Sequence, residues 1–331
     1  MPSSPRASVV IVARNEEANI GRAIRSVLDQ DVDDIEIVVV DDNSDDDTGA
    51  AAASFAGVRV EENPGVGMAD GLVHGLAVAR SDSIVKVDAD DWHLPGSIEK
   101  LLAPLEADPA VAVVGGSARS VDEAGRELDL HMSVPTSDHM ALVAMVNCPI
   151  EHTACAFRRS AVLEVGGYRR VDGVDIIEDY DLWLRLLDAG MTFVGLTDLV
   201  AVHVISPTTV TNRRRQAGVD RGRSLRTDFR QRHAPTLCTY RRISELGSSV
   251  ISWRDEPERS DRFAFVLIRL AHLSVGDREY RRAASVFAAT VRCGPFSVAR
   301  GVVRTALARR RRRQARGWMS ASAVVEFVRG K

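Results

Sequence analysis

The sequence predicts an α/β fold: a Rossmann-like, mixed but mainly parallel sheet flanked by helices, with a basic helical C-terminal extension. Three observations predict it. Short β-branched runs alternate with helically spaced apolar residues through the first half, the pattern of strand–helix–strand units with right-handed crossovers. Two of those runs end directly in acidic clusters, at the carboxyl ends of strands, where ligands bind in such sheets. Charge is divided along the chain: residues 205–331 hold 28 Lys+Arg against 10 Asp+Glu, whereas residues 1–204 hold 15 against 36. Such a division marks two pieces with different work, expected as one domain over 1–210 and a basic helical region over 211–331.

In order, Ser8 to Ala13 reads as a buried β-branched strand, followed by a polar turn, Arg14-Asn15-Glu16-Glu17. Ala18, Ile20, Ala23, Ile24, Val27 and Leu28 fall at helical spacing, so a helix covers the sheet. Ile35 to Val40 is a second strand, entering the acidic run Asp41 to Thr48. A helix over Ala50 to Phe55, a short strand at Val58 to Val60, a loop at Asn63 to Gly67 and a helix over Leu72 to Ala79 follow. Ile84 to Val87 is a strand that ends in Asp88-Ala89-Asp90-Asp91. Beyond it, Ile98, Leu101, Leu102 and Leu105 space a helix, and Val111 to Gly115 a strand. Ser117 to Leu130 reads as strand, turn and strand, Leu142 to Val146 as helical, and Ala154 to Phe157 as a short strand before a helix at Ser160. Gly166-Gly167-Tyr168 is a turn whose glycines serve backbone geometry. Leu199 to Val204 is the last strand of this half.

The chemistry concentrates at the strand ends. Asp88 and Asp90, separated by a small residue, repel each other strongly unless a cation shares them. Oxygen ligands of this kind suit Mg or Mn, ions that also hold substrate phosphates. The bland alternative is a solvated acidic turn. Arg14, Asn15, Asp42, Asp88 and Asp90 all fall on one sheet edge, where a nucleotide would be held. Two other motifs fail: counted from Asp41, a calcium loop would need Gly and Glu where Asp46 and Ala52 stand. Gly65 to Gly71 has its third glycine one place late for a dinucleotide fingerprint and follows the third strand, not the first.

The ordered set Ser8-Val9-Val10-Ile11-Val12-Ala13-Arg14-Asn15-Glu16-Glu17, Val38-Val39-Val40-Asp41-Asp42-Asn43-Ser44, Val87-Asp88-Ala89-Asp90-Asp91, Gly166-Gly167-Tyr168 and Glu178-Asp179-Tyr180-Asp181-Leu182-Trp183 resembles the family 2 glycosyltransferases of GT-A fold, over roughly residues 7–210. The resemblance implies an inverting, non-processive, metal-assisted transfer from a nucleotide-diphosphate sugar, UDP-linked in many members, to a hydroxyl of a saccharide or lipid-linked acceptor, as in cell-surface polysaccharide or glycolipid synthesis. It assigns the nucleotide sugar to Ala13, Arg14, Asn15, Glu17, Asp42, Asp88, Ala89 and Asp90. Mn or Mg falls to Asp90, with Asp88 on the ribose or on the ion through water, and His203 completes the metal or diphosphate site or is structural. Asp179 is the catalytic base, with Glu178 and His152 on the acceptor side; His152 also has a plain structural reading. If Asp179 begins a helix, it shares a face with Leu182, Trp183 and Leu186, while Glu178 and Asp181 point elsewhere. The alternative for Asp179 is an N-terminal acid favoured by the helix dipole. The chain departs from the family pattern where Pro-Thr-Tyr would stand at Val12-Ala13-Arg14, in Ala201-Val202 before His203, and in lacking the Gln-x-x-Arg-Trp of processive members.

Beyond Pro207, Phe263 to Leu273 and Arg281 to Val291 read as a helical hairpin, and Arg309 to Arg313 is a run of five arginines. The run is a solvated face or a contact with anionic membrane, where each basic residue contributes about 1 kcal/mol; no nucleic-acid recognition motif accompanies it. No run approaches the ~20 apolar residues that span a bilayer, Val9 to Ala13 is too short for a signal-peptide core, and Cys148, Cys155, Cys238 and Cys293 lack metal-like spacing. A cytoplasmic enzyme, peripheral at the inner face of the membrane, is expected. Two rivals stand beside it: an inactive GT-A-like binding or scaffold protein, which would have little reason to retain Asp42, Asp88, Asp90 and Asp179, and a nucleotidyltransferase, which would need a Gly-rich basic loop where Ala13 to Glu17 stand.

Overall fold

Seven consecutive buried residues, Ala7–Ala13, form β1, as expected of a strand covered on both faces. A computed structural model of the chain describes residues 4–131, 136–170, 177–206 and 215–251, and scattered positions between 266 and 288. Met1–Gly125 with Leu130–Cys238 make one compact unit, and Arg126–Asp129 with Thr239–Lys331 the other. The expected boundary at 210 falls outside the described residues.

In the first unit, α1 (Ile20–Leu28), β2 (Ile35–Asp41), α2 (Thr48–Ala53), β3 (Val58–Glu62), α3 (Met68–Val78) and β4 (Ser83–Lys86) complete the strand–helix alternation. β2 pairs with β1 and with β3, and β4 with β1, all in parallel. Ile20, Ala23, Ile24 and Val27 bury the inner stripe of α1, each larger side chain contributing about 1.5–3 kcal/mol against exposure. Ala18 and Leu28, expected on that stripe, are exposed: the helix begins only at Ile20, after the turn in which Glu16 O accepts from the N–H of Asn19 and Ile20. Helix α3 starts four residues earlier than its periodicity predicts. A Cβ on Gly71 would stand 2.7 Å from Val12 Cγ1, and one on Gly75 2.6 Å from Val10 Cγ1. These glycines let the helix lie directly on β1.

The sheet then changes direction. After β5 (Trp92–His93) and α4 (Ser97–Ala107), β6 (Val111–Val121) runs unbroken through Gly115-Gly116, where the sequence suggests an interruption. The glycines serve close packing instead: added Cβ atoms would meet Ile150 Cγ1 at 2.9 Å and Val200 Cγ2 at 2.3 Å. Next come β7 (Glu127–His131), α5 (Ser137–Ala144), a 3₁₀ turn at His152–Ala154, β8 (Cys155–Arg158), α6 (Arg159–Glu164), α7 (Glu178–Asp188) and β9 (Thr192–Val204). The sheet order is β3-β2-β1-β4-β8-β6-β9-β5, with β8 antiparallel to both β4 and β6, and β9 parallel to β6 with register shifts. Those shifts hid the first seven residues of β9 from a period-two reading. Phe157, Tyr168, Trp183 and Phe193 meet edge-on at centroid distances of 6.3–6.4 Å behind β8. Helix α8 (Arg215–Leu237) closes this unit. In the second unit α9 (Tyr240–Ile251) buries Ile243 and Leu246. The described positions within the expected hairpin segments are helical, and Arg309 to Arg313 lie outside the described residues.

Candidate active site

Parallel pairing of β1, β2 and β4 brings three loops to one sheet edge. The loops after β1 and β2 are sewn together: Asn15 N–H donates to Ser44 Oγ (3.1 Å), Glu16 N–H to Thr48 Oγ1 (2.8 Å), and Asp45 N–H to Asn15 Oδ1 (2.7 Å). Asn15 and Asn43 both take left-handed backbone, φ 56° and 55°, a conformation asparagine adopts several-fold more readily than most residues. Ala13 is buried, Arg14 and Glu17 are exposed beside this seam, and Glu17 N–H donates to Asp46 Oδ2 (3.3 Å). Asp42 is buried; its Oδ1 accepts from Asn63 Nδ2 and from Gly67 N–H, both at 2.7 Å. One carboxylate oxygen is thus fixed by protein donors.

Asp88 and Asp90 follow β4 and have opposite electrostatics. Burial would raise Asp88, yet its carboxylate is held at about 2 because the Lys86 ammonium lies against it. Lys86 is completely buried and donates to Asp88 Oδ1 (2.5 Å) and to Val87 O (2.7 Å). Sequence reading took Lys86 as one more residue of an apolar strand; a lysine two places before a strand-end aspartate was the signal available. Asp90 is pushed up to about 7 by burial and by Asp91, Asp88 and Glu16 around it. Its backbone is clamped from α1: Arg22 Nη2 donates to Asp90 O (2.6 Å) while its guanidinium lies 4.3 Å over the Trp92 ring. Ala89, between the two acids, is buried.

Asp91 is fully buried and accepts from Val204 N–H (2.7 Å) and from His203 Nδ1 (3.0 Å). Burial alone would lower His203, but the Asp91 carboxylate holds the imidazole well up, toward its protonated form. With Nδ1 bonded to Asp91, Nε2 remains for either of the two ligands expected of His203, a metal ion or a diphosphate oxygen. The donor set still fits a cation. Crowded, hard carboxylates raise Asp90, and a magnesium-type ion takes one or two protein carboxylates with phosphates and water completing its shell. Among the described residues no three His, Cys, Asp or Glu side chains converge as a self-sufficient metal cage.

The other wall comes from α7. Asp179 stands in its first turn, pushed up to about 7 chiefly by burial, with Cys148 Sγ 3.7 Å from Oδ2. Burial outweighs the lowering effect of the Tyr180 N–H, which donates to Asp179 Oδ1 (2.6 Å). Asp181 points elsewhere than Asp179, as the helical spacing suggested, while Glu178 lies close enough to Asp179 and Asp88 to be raised by both. Asp181 is buried in a two-arginine clasp, with Arg169 Nη2 and Arg185 Nε each at 2.8 Å, because the Gly166-Gly167 turn (φ 89° and 70°) brings the following Arg169 back onto α7. Glu178 is buried, its Oε2 has no hydrogen-bond partner among the described residues, and burial and then Asp179 push it well up. His152 is buried in the aromatic cluster and bonded through Nε2 to Tyr168 Oη (2.8 Å); burial and Lys86 lower it to about 3.

Comparison with known proteins follows the same residues. The family description "Glycosyl transferase family 2" matches residues 8–167. The putative glycosyltransferase EpsE of Bacillus subtilis is 32% identical over 205 residues, 60% of this chain and 72% of its own length. The amylovoran biosynthesis glycosyltransferase AmsE of Erwinia amylovora is 31% identical over 158 residues, 48% and 57%. A UDP-Gal:alpha-D-GlcNAc-diphosphoundecaprenol beta-1,3-galactosyltransferase of Escherichia coli is 26% identical over 131 residues, 40% and 46%. The chain thus spans little more than half the length of several curated relatives it matches. Among solved structures, S. aureus TarS 1-349 superposes with a TM-score of 0.51 at 15% identity, covering 85% of this chain and 89% of that one, a likeness of fold. A seam of two loops, a lysine-braced acidic strand end and an apolar-walled carboxylate therefore occur on a sheet and in a sequence of one kind: this chain belongs to glycosyl transferase family 2.

Proposed function

We propose that the protein transfers a sugar from a nucleotide-diphosphate sugar to a hydroxyl of a saccharide or lipid-linked acceptor, with inversion, in the synthesis of a cell-surface polysaccharide or glycolipid. The observation that carries this reading is Asp179, a carboxylate poised at about 7 by burial, the condition a general base near neutrality requires. Asp179 takes the proton of the acceptor hydroxyl as its oxygen attacks the anomeric carbon from the face opposite the diphosphate. The bond from that carbon to the diphosphate breaks, and its electron pair leaves with the phosphate oxygen. Asp42, with Oδ1 already fixed, presents its second oxygen to the nucleotide, and Asp88, ionised beside Lys86, to the ribose. His203, anchored through Nδ1 on Asp91, completes the metal or the diphosphate site. Mn or Mg, held by Asp90 and directly or through water by Asp88, would supply Lewis-acid neutralisation of the same charge. The names of relatives in amylovoran synthesis and of one acting on a diphosphoundecaprenol-linked sugar support the acceptor class. The basic excess beyond residue 205 supports peripheral contact with anionic membrane; no described helix is long and apolar enough to cross one.

The test is a thermal-shift panel of nucleotide sugars with and without Mn, followed by donor hydrolysis without acceptor. One sugar nucleotide should raise the melting temperature more with Mn, by mass action on the native state, and should be hydrolysed slowly. No stabilisation by any donor, with or without Mn, would overturn the reading.

A further inference from the structure

Each N–H of the loop 65–67, between β3 and α3, donates to a side chain. Gly65 N–H reaches Asn63 Oδ1 (2.9 Å), Val66 N–H reaches Asp70 Oδ2 (3.0 Å) and Gly67 N–H reaches Asp42 Oδ1 (2.7 Å). Gly67 does so at φ 93°, a region that glycine enters at little steric cost. The setting of Asp42 therefore depends on how this loop is held. Asn43 Nδ2 holds it locally, donating to Gly65 O (3.1 Å). A further hold comes from far along the chain: Arg170 Nη2 donates to Val66 O and to Asp70 Oδ2 (2.7 Å).

Arg170 follows Arg169, whose Nε and Nη2 grip Asp181 of α7 at 2.9 and 2.8 Å. Arg185 closes the same clasp and donates to Val165 O (2.6 Å) and Gly167 O (2.7 Å), in the turn that leads to the two arginines. Asp181 and Asp179 stand together in the first turn of α7. One dipeptide is thus bonded on one side to the loop that sets Asp42 and on the other to the helix that carries Asp179. Arg170 and Asp70 are exposed, at 41% and 40%, and exposed ion pairs add little to stability. What a guanidinium bonded at once to a carbonyl and a carboxylate does supply is fixed geometry.

We propose that Arg170 is a positioning residue: it straps the loop that sets Asp42 to the helix that carries Asp179, so that a nucleotide bound at Asp42 steadies the base. The roles of Asp42 and Asp179 rest on the transferase reading, whereas the strap is a property of the chain itself. A nucleotide on Asp42 restrains loop 65–67, and Arg170 with Arg169 passes that restraint to α7. Such coupling is reciprocal, so whatever steadies α7 also tightens the grip on the nucleotide.

The experiment is amide hydrogen exchange on the full chain, with calorimetric titration by the uridine, guanosine, cytidine and adenosine diphosphates, each with Mn. In the free chain, Arg170→Gln should speed exchange at 65–67 and at 178–183. Arg170→Lys, which can still donate to both oxygens, should stay near the parent. A bound diphosphate should slow exchange at both segments in the parent, but at 65–67 alone in Arg170→Gln. Arg170→Gln and Asp70→Asn should each weaken that diphosphate roughly fivefold, the low end of site-to-site coupling. The double variant should lose no more than either single one, because both remove the same contact. Melting temperatures within about 2 °C of the parent check that each variant folds. Exchange at 178–183 indifferent to Arg170→Gln, diphosphate affinity equal to the parent's, or losses that multiply in the double variant would each overturn the strap. If no nucleoside diphosphate binds the parent, the transferase reading fails by itself, and exchange in the free chain still decides the strap.

Discussion

At the scale of residues, burial sorts chemically identical carboxylates into different states. Asp88 is held at about 2 beside Lys86, whereas Asp90 and Asp179 are pushed up to about 7. If Asp179 is the base, only its ionised form works, so turnover should climb as pH rises through about 7. Asp179→Asn keeps the size but cannot accept the proton. Steady-state kinetics should show turnover reduced roughly 10²–10⁴-fold, with donor affinity little changed in a thermal-shift titration. A variant that keeps more than about a tenth of the activity moves the role to Glu178. The place of Asp42, Asp88 and Asp90 just after strands was legible from the apolar runs that precede them, whereas Asp179 was singled out through the family resemblance. What lay beyond legibility depends on partners distant in the chain. Lys86 against Asp88 looked like one more strand residue, the pairing of Asp91 with His203 spans 112 positions, and the clasp on Asp181 needs Arg169, which returns to it through a glycine turn.

At the scale of elements, the glycines explain why α3 and β6 lie where they do. Gly71 and Gly75 face Val12 and Val10 at distances no Cβ tolerates. Gly75→Ala should therefore destabilise the protein by about 1–3 kcal/mol, the cost of overpacking a core, although alanine is the better helix former. Urea denaturation would measure it, and a stabilised variant would show that α3 shifts freely on β1. Periodicity found these elements to within a few residues. It placed the starts of α1 and α3 wrongly because their first turns are set by the loop bonds of Glu16 and of Gly67, and it lost the beginning of β9 to register shifts.

At the scale of the whole molecule, Glu36 anchors the edge of the sheet opposite the site. Its buried carboxylate accepts from Ser8 Oγ (2.5 Å), Arg80 N–H (2.6 Å) and Arg80 Nε (2.7 Å); burial works against ionisation, but these bonds outweigh it and leave Glu36 below the usual range. A depressed folded-state pKa contributes stability above the unfolded value, near 4.5, that is lost as pH falls through the folded one. Glu36→Gln should therefore lower the melting temperature at neutral pH, and the loss should shrink as pH falls below the unfolded value, near 4.5; a loss that stays constant with pH would refute the linkage. The charge division makes a second whole-chain prediction. Deleting 296–331 should release the protein from acidic vesicles at moderate salt while nucleotide-sugar binding persists, and equal vesicle binding by both forms would make the basic tail a solvated face.

The reversal of strand direction where β8 meets β4 also divides the work along the chain. Everything that would grip the nucleotide comes from the parallel first part of the chain, up to Asp91, apart from His203. Most of what surrounds Asp179, including Cys148, Glu151 and Tyr180, comes from beyond residue 136, with Asp88 close enough from the first part to act on it. On the proposed roles, the grip on the nucleotide and the choice of acceptor are then largely encoded in separate stretches of the chain.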